Sequence, residues 1–72
     1  MSNYEKIGLL EEMMELNEGT LNENTELSKI YEWDSMAALS LIVLFGEKFN
    51  KKITAVDIRS FKEVNDIINC MG

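Results

Sequence analysis

Apolar residues recur along this chain at helical rather than strand spacing. Ile7, Leu10 and Met14 stand at i, i+3 and i+7, flanked by Leu9, Met13 and Leu16. This broad stripe predicts a helix from about Asn3 to Leu16. Ser2 and Glu5 match a capping box, in which each side chain satisfies a backbone N–H that the first turn leaves unpaired. Lys6, Glu11, Glu12 and Glu15 are expected on the opposite, solvent face, and Asn17-Glu18-Gly19 supplies the stop. Gly8, inside the pattern, costs the helix about 1 kcal/mol relative to alanine.

From Asn17 to Asp34 the periodicity lapses. Gly19, Thr20, Asn22, Asn24 and Thr25 favour turns, yet Leu21, Leu27, Ile30, Tyr31 and Trp33 punctuate the stretch. Leu21 and Leu27 are expected to pin it to the helices, and a long loop inside so small a domain points to function. Asp34 then fits the N-cap of a strongly apolar helix running from Met36 to about Phe49. Leu39, Ile42, Val43 and Phe49 are expected on one buried face, widened by Leu41, Leu44 and Phe45. A helix apolar on most sides must be central in its bundle or meet a partner.

Asn50-Lys51-Lys52 ends that helix. Thr54 and Asp57 form a second capping-box match, opening a short helix from Ala55 to about Arg59 that would bury Val56 and Ile58. Phe61 anchors the following turn. Val64, Ile67, Ile68 and Met71 make a final stripe at i, i+3, i+4 and i+7. The pattern predicts a single all-α domain over residues 1–72: three main helices, one short helix, and a long loop between the first and second.

Composition narrows what such a domain does. A chain of 72 residues buries only roughly 60% of the surface its unfolded form exposes. It has little room for a walled pocket of roughly 300–1,000 Å³, so an autonomous enzyme is disfavoured. Thirteen acids against seven bases give a net charge of −6, and no basic stripe offsets the repulsion from nucleic-acid phosphate. With no histidine and a single cysteine, a zinc site, a histidine-based catalytic group and an internal disulfide all lack their residues. Cys70 is expected to be a partly buried helix residue. The longest apolar run, Leu41–Phe45, is too short to insert in a membrane, and the N-terminus carries no secretory pattern. A cytoplasmic monomer is the expectation. The acidity is uneven: residues 1–35 hold nine acids and two bases, whereas residues 36–49 hold only Glu47 and Lys48.

Asp34-Ser35-Met36 sits where chemistry is most easily placed. It follows the long loop and opens the apolar helix, where backbone N–H groups and the helix dipole favour an anion such as a phosphate ester on Ser35. Taken as a tripeptide it reads first as ordinary cap chemistry. The wider pattern adds Leu21, Leu27, Tyr31-Glu32-Trp33-Asp34-Ser35-Met36, Leu39, Val43, Phe49-Asn50-Lys51-Lys52-Ile53, Phe61, Val64 and Ile68. With these, the chain resembles the acyl carrier proteins, the phosphopantetheine-binding carrier family, from Ile7 to Met71.

The resemblance implies a four-helix bundle of acyl-carrier type and a protein that is not itself an enzyme. It implies that a phosphopantetheinyl transferase attaches 4′-phosphopantetheine from coenzyme A to the Ser35 hydroxyl. The arm's thiol would then carry an acyl or aminoacyl group as a thioester to separate loading and transferring enzymes. Asp34 would cap the helix and assist the transferase, and Trp33, Met36, Ala37 and Ser40 would meet partners. Leu39, Val43, Ile53, Ile58 and Phe61 would line a cleft for a folded-back chain, or simply fill the core. Two departures point away from a housekeeping fatty-acid carrier toward a specialised, secondary-metabolite type. Glu32-Trp33 precedes Asp-Ser where such carriers have small residues. Ala37, Ser40 and Gly46 stand where their recognition helix is acidic. Gly46 would also weaken the helix end, and marks either a close approach to that helix or nothing. The competing reading is a small helical interaction module with no prosthetic group.

Overall fold

The computed structural model describes residues 1–71. Four α-helices follow one another: α1 (Asn3–Met13), α2 (Ser35–Lys48), α3 (Ala55–Ser60) and α4 (Val64–Met71), with a short 3-10 turn at Leu27–Lys29 in the loop between α1 and α2. No strand occurs among the described residues, so the domain is all-α as its spacing predicts.

The helix starts follow their caps. Ser2 and Glu5 form a complete capping box, as do Thr54 and Asp57. Asp34 accepts the Ala37 N–H at 3.0 Å and opens α2. The end of α1 comes earlier than its apolar spacing predicts. Glu15 adopts a left-handed backbone (φ 57°), which turns the chain so that the Leu16 N–H donates to the Glu11 carbonyl and the Glu15 N–H to Glu12. That pair of bonds is a Schellman closure, usually made with glycine. Glu15 lies inside the span that the apolar stripe predicts, and a glutamate is a good helix former; the closure overrides both.

α1 packs on α2 and α4. Leu10, Met14, Leu41, Phe45, Val64, Ile67, Ile68 and Met71 form the core, with Leu21 and Leu27 from the loop and Ile53 and Phe61 flanking α3. Every residue of the α4 stripe is buried. The loop is sewn down by its backbone as well as its leucines. Leu27 donates to the Lys62 carbonyl at 2.8 Å, Val64 to Thr25 at 3.0 Å, and Asn65 to Glu23 at 2.9 Å. Loop closure thereby fixes the segment that delivers Trp33 and Asp34 to the start of α2.

Five expectations are corrected. Lys6 and Glu11 are buried rather than solvated. Lys6 stands one turn before Leu10 on the core line, and the returning loop covers Glu11, whose carboxylate accepts the Leu21 N–H at 2.9 Å. On α2 the buried line is Ala37, Leu41 and Phe45, whereas Leu39 and Val43 face outward. Val56 is exposed, because α3 is too short to bury a full face, and only Ile58 of its two expected anchors rests against the core. Cys70 is exposed: it directly precedes Met71, and α4 buries Met71 with Ile67 and Ile68. Gly46 marks no close approach either, since an added Cβ there meets nothing within 4 Å.

Candidate functional site

Ser35 is the first residue of α2 and is exposed. Two short bonds set its approach: the Trp33 N–H donates to the Ile30 carbonyl and the Asp34 N–H to Glu32, each at 3.1 Å. Asp34 is extended (φ −131°, ψ −169°), the usual backbone of an N-cap. Its carbonyl accepts the Ala38 N–H at 3.0 Å while its side chain takes Ala37. The negative charge beside Ser35 is therefore held against the helix start, where the dipole favours it. First-turn N–H groups have no acceptor within their own helix, so an anion on the Ser35 side chain would find donors and a favourable field there.

The residues expected to meet partners divide. Met36 and Ser40 are exposed. Trp33 is half-buried and packs against the core, so it anchors the loop end. Ala37 is buried on the core line and is withdrawn as a contact surface. In its place stand Leu39 and Val43. Met36, Leu39 and Val43 are 72%, 62% and 56% exposed, at i, i+3 and i+7, and form an apolar stripe leading away from Ser35 along α2. The signal for this face was present in the few polar residues of the helix. Ser40 lies one turn beyond Met36, and Glu47 one turn beyond Val43, marking that side as the outward one.

The five residues expected to line one cleft are not brought together. Phe61 borders a cavity of about 560 Å³ between Trp33, the 3-10 turn and the start of α4. Val43 borders a separate groove of about 340 Å³ between α1 and α2. Ile53 is core, Ile58 rests against it, and Leu39 is on the outer stripe.

Two carboxylates are tuned by backbone donors: Asp66, which lines the cavity by Trp33, and Glu5, at the start of α1. Asp66 accepts the N–H groups of Lys62 and Glu63 at 2.9 and 3.0 Å, which holds its carboxyl below its usual range. Glu5 is lowered in the same way by the Ser2 backbone and hydroxyl. Among the described residues no cluster of His, Cys, Asp or Glu could hold a metal ion, and no helix is long and apolar enough to cross a membrane. No family model, curated protein or solved structure matches the chain.

Proposed function

We propose that this chain is a carrier protein of acyl-carrier type, holding an acyl or aminoacyl thioester on 4′-phosphopantetheine attached through Ser35. The observation that carries the reading is the exposed Ser35 at the first position of α2. It stands beside a carboxylate already engaged in capping, at the end of a loop sewn to α4. An apolar stripe leads away from it.

The residues fit the group. A phosphodiester on the Ser35 oxygen would lie at the positive end of α2. Asp34 would keep the helix start ordered while the transferase works on its neighbour. When bound, the prosthetic group supplies the thiol that bears the cargo. The chain's own part is to expose Ser35, hold the first turn rigid and present Met36, Leu39 and Val43 to partner enzymes. Ser40 and Gly46 leave that stripe nearly free of charge, which suits a specialised carrier whose partners recognise apolar surface.

The test is transfer of a fluorescent pantetheine from a coenzyme A conjugate by a broad-specificity phosphopantetheinyl transferase. Wild type should be labelled and Ser35→Ala should not. Labelling that persists in Ser35→Ala would overturn the site. The exposed stripe also suits a partner-binding module without a prosthetic group, a reading that a chain refusing the label would favour.

A further inference from the structure

The cavity of about 560 Å³ between the 3-10 turn and the start of α4 has apolar walls. Leu27 and Phe61 are buried core residues, and Trp33 is half-buried against them. Glu26, Glu63, Asp66 and Lys62 supply its charge. Glu26 is already paired with Lys29 at 2.9 Å. Two acids then face one base, which leaves the lining one negative charge in excess. Asp66 is fixed in place, because both N–H groups that it accepts fall on Oδ2. Its Oδ1 receives no donor among the described residues, and the half-buried Glu63 carboxylate receives none either.

We propose that this cavity receives the cargo, and that the cargo bears an ammonium, an aminoacyl group in place of a plain fatty acyl group. The inference rests on the carrier reading. Reach is the first argument. Trp33 stands two residues before Ser35, no more than about 7.6 Å away between Cα atoms. An extended arm of about thirteen bonds from phosphorus to sulfur spans about 15 Å, at the reach of three backbone bonds per ~3.5 Å. A folded-back arm thus brings its thioester to the cavity with length to spare. The phosphodiester stays at the positive end of α2, whereas Glu63 and Asp66 stand at the start of α4.

Chemistry is the second argument, and it selects the class of cargo. A pocket of apolar side chains with a few convergent polar groups suits a ligand built on the same pattern. The hydrocarbon part of an aminoacyl group gains by leaving water against Leu27 and Phe61. Its ammonium donates to Asp66 Oδ1 and to Glu63 in charge-assisted hydrogen bonds, and the Trp33 ring adds cation–π attraction. A plain fatty acyl group would turn hydrocarbon toward both carboxylates, and covering a charge without a partner is costly. The two grooves between α1 and α2 are smaller, at about 330 and 340 Å³, and offer no indole.

The experiment loads the chain from coenzyme A conjugates that carry an amide-linked β-alanyl or butyryl group, with loading verified by intact mass. The two cargoes have the same length and differ only in an ammonium or a methyl at the tip. Amide NMR spectra and the Trp33 indole signal are compared between the two forms. The β-alanyl form should show the larger shifts at Ser28, Trp33, Glu63 and Asp66. Glu63→Gln combined with Asp66→Asn should abolish that excess; both substitutions keep a side-chain oxygen, so the N–H groups on Asp66 retain an acceptor. Equal shifts from the two cargoes, an excess that survives the double variant, or shifts moved to Met13 and Ser40 would overturn the proposal while leaving the carrier reading intact. A chain that gains no mass would overturn both.

Discussion

The Leu21 N–H is buried where the loop crosses α1, and Glu11 supplies its acceptor. Burying a carboxylate is costly unless it is hydrogen-bonded, and an abandoned buried donor costs about 1–3 kcal/mol. Glu11→Ala should therefore lower unfolding stability by about that amount, measured by urea denaturation. Glu11→Gln, which keeps a carbonyl oxygen, should lose clearly less. Equal stability in all three would show that the contact contributes nothing. Asp66 acts at the same scale through the N–H groups of Lys62 and Glu63. Its folded-state pKa lies below its unfolded value, so its stabilisation is full above the unfolded pKa. That stabilisation is lost as pH falls through the folded one. The urea midpoint should decline on acidification through the carboxylate range, and Asp66→Asn should flatten part of that decline. A midpoint unchanged in acid would contradict it.

At the scale of elements, the helix ends carry the next predictions. Glu15 holds a left-handed backbone that costs a side chain roughly 1–2 kcal/mol and glycine almost nothing. Glu15→Gly should raise stability by up to about 1 kcal/mol, a gain that thermal denaturation would detect. Gly46 offers the opposite case. It lies in α2 with open space around its missing Cβ, so Gly46→Ala should stabilise by about 1 kcal/mol. A loss in either variant would place an unseen constraint there.

These same elements show what was legible beforehand. Both capping boxes, the Asp34 cap and the α4 stripe could be read because each depends on residues a few positions apart. The end of α1 could not, since a left-handed glutamate has no local signature. Nor could the buried face of α2, where apolar residues on all sides leave the choice to α1 and the loop. The burial of Lys6 and Glu11 depends on chain that returns from residues 18–23. The place of Ser35 at the start of α2 was legible from the loop and the Asp34 cap; Leu39 and Val43 were misread as core, although Ser40 and Glu47 marked their direction.

Across the whole molecule, the net charge of −6 is concentrated on α1 and the loop, while residues 36–49 balance to zero. Partner binding along Met36, Leu39 and Val43 should accordingly change little between low and high salt, because screening acts on exposed charge. A steep loss of affinity across a salt series would show that the acidic regions dock instead. The central claim concerns one oxygen atom of the 72-residue chain. Its most direct test is the intact mass of the protein after incubation with coenzyme A and a phosphopantetheinyl transferase, followed by fragmentation to locate any addition. The account predicts a gain of one phosphopantetheine, placed on Ser35 and absent from Ser35→Ala; an unchanged mass, or an addition on any other residue, would contradict it.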